Sequence, residues 1–128
     1  MPPLASKPKN SRRQAAERRG RRGEFLAEMF LRAKFYKILY RRYKTPLGEI
    51  DLIARRGRTI VFVEVKQRAS AETYGEAMEA VNTRRISRAA GWFEARHPRY
   101  AGFDYRFDVI FLAPGRWPSH LSNAFFAD

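Results

Sequence analysis

The sequence has no cysteine, two histidines and no long apolar run, and each absence excludes a class of protein. Without cysteine, neither a disulfide framework nor a cysteine-ligated zinc site can form. With two histidines, a metal would need oxygen ligands, which favours Mg²⁺ or Mn²⁺ over zinc. No apolar run approaches the roughly 20 residues that span a bilayer, and the N-terminus lacks a signal-peptide core. We therefore expect a cytoplasmic protein with no membrane partner.

Acidic side chains are scarce, above all in the first part of the chain. The 128 residues carry 26 Lys and Arg against 13 Asp and Glu, a net charge of +13. Residues 1–48 hold fourteen basic and three acidic side chains, so most of the excess lies there. This asymmetry predicts a polyanionic partner, DNA or RNA, whose binding weakens steeply with salt. The length fits one domain with a modest core.

The chain is organised around residues 48–66, GEIDLIARRGRTIVFVEVK. Two runs rich in Ile, Leu, Val and Phe flank Gly57-Arg58, which predicts a hairpin with Gly57 at the positive φ of a type II′ turn. Opposed residues then have numbers that sum to 115. Charged residues interrupt both runs, and a charge inside a sheet is costly unless it is paired or binds a metal.

The hairpin register predicts that these charges form one cluster. Asp51 would face Glu64, and Glu49 would face Lys66, with all four side chains on one face within about 7 Å along each strand. Several carboxylates on one rigid face make an oxygen-ligand site for Mg²⁺, and a lysine beside them can neutralise phosphate. Phosphodiester hydrolysis suits such a site in a basic protein.

The remaining patterns predict an α/β domain. Residues 1–19 form a basic arm, flexible or helical from Ser11, followed by a single domain over 20–128. Helical spacing predicts helices over about 24–34, 76–81 and 83–95, and β-formers predict strands over 36–43 and 105–112. The apolar residues at helical spacing are Leu26, Met29, Phe30 and Ala33 in the first helix, and the inner face of the last helix carries Ile86, Ala89, Ala90 and Phe93. The tail, 117–126, fits a short edge strand or a helical turn. Strands that are apolar on both sides predict a central mixed β-sheet flanked by helices.

The combination Asp51 … Glu64-Val65-Lys66 resembles the PD-(D/E)xK motif of the restriction-endonuclease-like superfamily. The chain is more closely similar to the YraN family of bacterial proteins, which that superfamily holds beside the archaeal Holliday-junction resolvases. The segments that carry this similarity are GRRGEFLA (20–27), GEIDLIA (48–54), VFVEVKQR (61–68), RFDVI (106–110) and SNAF (122–125).

The resemblance implies a restriction-endonuclease-like fold and a metal-dependent endodeoxyribonuclease. Asp51 and Glu64 would bind Mg²⁺ or Mn²⁺, the carbonyl of Val65 would be a third ligand, and Lys66 would be the catalytic lysine. Glu24, on the first helix, would match the helix-borne acid of resolvase-like members. The resemblance also suggests branched DNA as the substrate and a homodimer that reaches two strands.

Three positions depart from the family pattern. Gln67 stands where the family often has Thr, Arg85 where it often has Lys, and Arg42 where it often has Asn. None of them changes Asp51, Glu64 or Lys66. We expect the following residues to contact nucleic acid: Arg18, Arg19, Arg21, Arg22, Arg41, Arg42, Gln67, Arg84, Arg85 and Arg88.

Other interpretations stay open at this point. Glu49 either belongs to the site or pairs with Lys66. Glu24 could instead be an acid at a helix N-terminus, where its charge interacts favourably with the helix dipole. Arg106 and Asp108 are expected to form a structural ion pair, with no site role for His97 or His120. A non-catalytic nucleic-acid-binding protein with a vestigial nuclease site is the alternative function, and an RNA-associated factor is a third.

Overall fold

The computed structural model describes residues 9–127, with side chains described at positions 13, 14 and 18 and from 20 onward. The helices are α1 (Lys9–Ala33), α2 (Tyr74–Glu79) and α3 (Thr83–Arg96), with 3₁₀ turns at Ala71–Thr73 and Pro98–Tyr100. The strands are β1 (Lys37–Thr45), β2 (Gly48–Arg56), β3 (Thr59–Gln67), β4 (Asp104–Leu112) and β5 (Ser119–Phe125).

The five strands form one mixed sheet in the order β1-β2-β3-β4-β5. All neighbours are antiparallel except β3 and β4, which run parallel and are joined through α2 and α3. A parallel pair needs such a crossover because its second strand must start at the opposite end of the sheet. The predicted α/β fold with a mixed sheet is confirmed.

The central hairpin has the predicted register. The β2–β3 pairs run from Leu52 opposite Val63 to Arg56 opposite Thr59, so their numbers sum to 115. Gly57 has φ of 60°, which supplies the left-handed position that a two-residue hairpin turn needs. This turn fixes which residues of both strands share a face.

Each face of the sheet carries its own core. On one face the predicted inner residues of α3, such as Ile86 and Phe93, are buried with Ile53 and Phe62. The second core contains the α1 residues Ala27 and Leu31 together with apolar residues of β2, β3 and β4. Helices therefore cover both faces, as the apolar strands require.

Helix α1 includes part of the predicted arm, and its buried face differs from the prediction. It begins at Lys9, so the arm is helical over residues 9–19, which is one of its two predicted forms, and it continues into the helix predicted from about residue 24; residues 1–8 of the predicted arm lie outside the described part. Its buried apolar side chains are Ala27 and Leu31, whereas Leu26 and Met29 are 55% and 48% exposed. Single-sequence spacing shows that a helix has an apolar side, but the small Ala27 decides where it approaches the sheet.

The tail forms a strand, one of its two predicted structures. β5 pairs antiparallel with β4, with Val109 opposite Leu121 and Phe111 opposite Ser119. Within residues 9–127, no helix is both long and apolar enough to cross a membrane.

Candidate functional site

The candidate site lies where β2 and β3 separate. Their backbone pairing ends at Leu52 opposite Val63, and the next acid on β2, Asp51, instead accepts a hydrogen bond at Oδ2 from the Val65 N–H (2.7 Å). β3 continues to pair with β4 as far as Gln67. The Asp51 carboxylate therefore takes the place of a backbone acceptor in a notch between the two strands.

Glu64 and Lys66 stand beside this notch. The Lys66 Nζ lies 3.8 Å from the Glu64 Oε1. Glu64 is 8% exposed, and its Oε2 is buried without a hydrogen-bond partner. A buried carboxylate oxygen normally has a partner, because desolvating it otherwise costs about 1–3 kcal/mol or more. The unpartnered oxygen is the strongest anomaly at this site.

Burial and mutual repulsion shift both acids toward the protonated form. Burial raises the pKa of Glu64 to about 7, helped by the charge of Asp51 and opposed by Lys66 and Arg85. Burial also raises the pKa of Asp51, against the hydrogen bond from the Val65 N–H, with the charges of Glu24 and Glu49 adding to the rise. The two acids are costly to ionise together, and a cation bound between them would stabilise both charges.

The residues present fit an oxygen-ligated divalent ion. In a hydrogen-bonded strand position the N–H and C=O of one residue point to the same neighbour, so the Val65 carbonyl faces the notch beside Asp51. Within the described side chains, no three His, Asp or Glu residues are grouped to hold a metal. Mg²⁺ commonly uses one or two carboxylates together with waters and substrate phosphate. Asp51, Glu64 and the Val65 carbonyl match that pattern.

Glu24 reaches this region from α1 and has its own partner. The Arg42 Nε donates to the Glu24 Oε2 at 2.6 Å, and the neighbouring Arg41 hydrogen-bonds to Glu28, which lies one helical turn beyond Glu24. Consecutive strand residues normally point to opposite faces. Arg42 has φ of 49°, a left-handed conformation that lets both arginines reach α1.

Glu49 does not take the position predicted for it. Among residues 9–127 no ion pair joins Glu49 to Lys66; Glu49 is exposed, and its backbone pairs with Lys44 of β1. The reason is the divergence of the strands, which stops the β2–β3 ladder before it reaches residue 49. The charge of Glu49 contributes to raising the pKa of Asp51.

Two glycines let neighbouring elements close around the site. A Cβ on Gly23 would lie 2.3 Å from the Gln67 side chain, and a Cβ on Gly48 would lie 2.5 Å from the Arg85 Cγ. Gly23 therefore allows α1 to meet the end of β3, and Gly48 allows Arg85 of α3 to approach the start of β2. The position of Arg85 explains why its charge lowers the pKa of Glu64.

The predicted nucleic-acid contacts fall into three groups. Arg41 and Arg42 pair with acids of α1, whereas Gln67 and Arg85 border the notch. The side chain of Arg19 lies outside the described part. The others are exposed on α1 or α3: Arg18, Arg21, Arg22, Arg84 and Arg88.

A second acidic centre was not predicted in full. The predicted ion pair between Arg106 and Asp108 is present (2.8 Å), and His120 also contacts Asp108 through Nε2 (2.7 Å). The backbone N–H of Asn123 donates to the same carboxylate, and Lys34 Nζ lies 2.9 Å from His120 Nδ1. The expectation that His120 is a bystander missed this role, since only the docking of β5 brings it to Asp108.

The fold and the notch together define an α/β protein with a buried carboxylate pair and a lysine at the point where two central strands part. The sequence profile of the uncharacterised protein family UPF0102 matches residues 23–112, and the chain belongs to that family. This confirms the predicted resemblance to the YraN family, which is UPF0102.

Relatives align over nearly the whole chain. The UPF0102 protein of Chelativorans sp. (strain BNC1) is 52% identical over 118 residues, covering 90% of this chain and 93% of the relative. The UPF0102 protein mlr4633 of Mesorhizobium japonicum is 50% identical over 126 residues, covering 96% and 98%. The UPF0102 protein amb4503 of Paramagnetospirillum magneticum is 42% identical over 129 residues, covering 98% and 100%.

Proposed function

We propose that this protein is a metal-dependent endonuclease that hydrolyses phosphodiester bonds of DNA, with branched intermediates among its substrates. The observation that carries the proposal is the buried, unpartnered Oε2 of Glu64 beside Asp51, with the Lys66 Nζ 3.8 Å from the Glu64 Oε1. A merely structural pair of acids would be expected to have its oxygens satisfied by protein donors. The branched substrate rests on the resemblance to resolvases.

Asp51, Glu64 and the Val65 carbonyl would hold the metal, Mg²⁺ or Mn²⁺. The chemistry supplied by such an ion when bound is a lowered pKa of a ligated water and stabilisation of charge on phosphate oxygens. The Val65 N–H fixes the orientation of the Asp51 carboxylate, and the Glu64 carboxylate is held among buried neighbours. Lys66 would neutralise the scissile phosphate and orient the attacking water.

The charge of the chain supports a nucleic-acid substrate. Arg85 borders the notch, and exposed arginines extend from it along α1 and α3. In a chain of net charge +13, this distribution suits a phosphate backbone that crosses the notch. Because each contact releases counterions, binding should fall with a log–log salt slope of about −0.9 per phosphate on duplex DNA.

A second candidate is a non-catalytic nucleic-acid-binding protein with a vestigial site. It is favoured by the Arg42–Glu24 ion pair, which already satisfies the acid that would complete the site from α1. This candidate predicts salt-sensitive binding of DNA without cleavage. It also predicts no stabilisation by divalent metal.

Cleavage of linear, flapped and four-way-junction DNA with Mg²⁺ or Mn²⁺ tests the proposal. We expect cleavage by the wild type and loss of at least about 100-fold in Asp51→Ala and Lys66→Ala, since preorganised charge typically contributes that much. Asp104→Asn and Lys37→Ala, which change exposed residues far from the notch, are matched controls. No cleavage by the wild type, or equal cleavage by the variants, would contradict the catalytic proposal.

Thermal unfolding separates the two candidates independently of activity. A metal bound only by the native state must raise the midpoint. We expect Mn²⁺ to raise the midpoint of the wild type but not of Asp51→Ala. Salt-sensitive DNA binding without any metal-dependent shift would support the vestigial site instead.

A further inference from the structure

An apolar groove runs between α1 and the segment that follows β4. Its volume is about 1010 Å³, and its apolar lining includes Leu26, Met29 and Phe30 from α1 and Pro114, Trp117 and Pro118 from the opposite side. These are the α1 residues whose spacing suggested a buried face. The helix presents Leu26 and Met29 to the groove instead of to the sheet, whereas Phe30 lines the groove and also packs against the second core.

The groove displays large apolar side chains to solvent. Trp117 is 88% exposed, an unusual state for a tryptophan, and Leu26 and Met29 are about half exposed. Contiguous exposed apolar surface of this kind marks a binding surface more often than a neutral one. The flat indole of Trp117 is free to stack on a planar ligand.

The charges along the groove restrict what can occupy it. Among the side chains that the structure describes, its lining includes Arg68 and Arg116 and no carboxylate. A second copy of this chain would bring another net charge of +13 against these arginines, which disfavours self-association. The occupant suited to this surface combines negative charge with planar apolar groups. A nucleic-acid strand has both, as phosphates and bases.

The groove adjoins the candidate site. Gln67 lines it and directly follows Lys66 on β3, and the Gln67 side chain lies against Gly23, which precedes Glu24 on α1. Consecutive strand residues point to opposite faces, so a strand with a phosphate at Lys66 would pass the end of β3 at Gln67 to bring its next bases to the groove.

We propose that this groove binds unpaired bases of a DNA strand by stacking on Trp117, so that the substrate carries a single-stranded or splayed segment. The inference rests on the proposed nuclease function for its placement beside the notch. Bases that are paired and stacked in a duplex cannot offer their faces to an indole. Arg68 and Arg116 would contact the phosphates that flank the stacked bases.

Fluorescence of Trp117 tests the groove without any cleavage. In a Trp92→Phe background, Trp117 is the remaining tryptophan of the chain. With EDTA present, we expect a (dT)₂₀ strand and a duplex with a 5′ flap to quench its emission. A blunt duplex of equal length should bind without quenching. Affinity for the strand and the flap should exceed that for the blunt duplex at least about tenfold, because each stacked base contributes a comparable factor.

Variants in the background of both natural tryptophans separate stacking from general binding. Trp117→Ala should lower affinity for (dT)₂₀ about tenfold and leave the blunt duplex unchanged. Phe126→Ala removes another exposed aromatic, 76% exposed and outside the groove lining, and should change neither. Gly20→Leu should also weaken (dT)₂₀ binding, because Gly20 lines the groove and a Cβ there meets nothing within 4 Å.

The outcomes distinguish this inference from the nuclease proposal. If Trp117→Ala binds (dT)₂₀ as tightly as the wild type, the groove inference is wrong, whether or not the wild type cuts DNA. If the stacking preference is present but no substrate is cut, the groove stands and the nuclease proposal fails. A dimer in sedimentation that Trp117→Ala abolishes would assign the groove to a second copy and overturn the inference.

Discussion

Two buried acidic centres on adjacent strands of the same sheet are built in opposite ways. Asp108 on β4 is fully buried and receives hydrogen bonds from Arg106, His120 and the Asn123 N–H. Glu64 on β3 is nearly as buried, yet its Oε2 has no hydrogen-bond partner. Burial alone does not separate the two, so their difference lies in how completely the surroundings satisfy the charge.

The pKa values of the two acids diverge accordingly. Burial raises the pKa of Asp108, but the hydrogen bonds from His120, Arg106 and Asn123 outweigh it, and the net pKa is lowered. Burial and the charge of Asp51 raise the pKa of Glu64 to about 7. The satisfied carboxylate stabilises the fold, whereas a buried acid with a raised pKa is typical of a functional site.

The largest expected effect comes from breaking the satisfied centre. Asp108→Asn leaves the half-buried Arg106 cation without its counter-charge, which should lower the free energy of unfolding by about 3 kcal/mol. Urea unfolding at pH 7 measures this loss. Asp104→Asn, an exposed position on the same strand, is the matched control and should stay within about 0.5 kcal/mol. A loss below about 1 kcal/mol for Asp108→Asn would show that the centre contributes little.

The next largest effect is a gain in stability when Glu64, the unsatisfied acid, is replaced by a neutral residue. The pKa of Glu64 rises from 4.5 to about 7 on folding, so the native state retains a proton that the unfolded chain releases. Stability should therefore fall as pH rises from about 4.5 to about 7 and should then level off. Glu64→Gln removes this fall and should stabilise the metal-free protein at pH 8 by about 2–3 kcal/mol.

Urea unfolding in EDTA at pH 5 and pH 8 measures the difference. Glu79→Gln, at an exposed acid of α2, is the control and should follow the wild type at both values. Asp108 contributes with the opposite sign, because its lowered pKa makes its stabilisation disappear as pH falls below about 3.8. If Glu64→Gln is less stable than the wild type at pH 8, the prediction that an ionised Glu64 destabilises the metal-free protein is wrong.

A moderate effect is expected at His120. His120→Leu removes one of the hydrogen bonds to Asp108 and leaves those from Arg106 and Asn123, so we expect a loss of about 1–2 kcal/mol. His120→Gln retains a hydrogen-bond donor for Asp108, so its free energy of unfolding should fall by less. Urea unfolding measures both variants, and an equal loss in the free energy of unfolding would contradict this prediction.

The smallest effect concerns the backbone beside the candidate site. Arg42 adopts φ of 49°, where Asn is tolerated better than other non-glycine residues. Both Arg42→Asn and Arg42→Ala lose the ion pair with Glu24, so their difference isolates the backbone. Arg42→Asn should be more stable than Arg42→Ala by about 0.5–1 kcal/mol in urea unfolding. Equal stabilities would show that the left-handed position carries no strain.

Much of the fold follows from local patterns in the sequence. The turn at Gly57-Arg58 fixes the register of the central hairpin, and the period of α3 identifies its buried residues, because both depend on neighbours in sequence. Whether the arm before residue 20 is helical stays open in the sequence, since Gly20, Gly23 and many charges conceal a continuous helix. Tertiary packing overrides such weak local preferences.

The sequence by itself determined that an acid, a second acid and a lysine stand on a central hairpin in a strongly basic chain of the YraN type. The tertiary structure decided which charges meet. Because β2 and β3 diverge, Asp51 accepts a hydrogen bond from the Val65 N–H and Glu49 lies outside the site. Because β5 pairs with β4, His120 hydrogen-bonds to Asp108. It also turned Leu26 and Met29 away from the core. The physical reason is that strand divergence, helix docking and edge pairing arise from contacts between residues far apart in sequence.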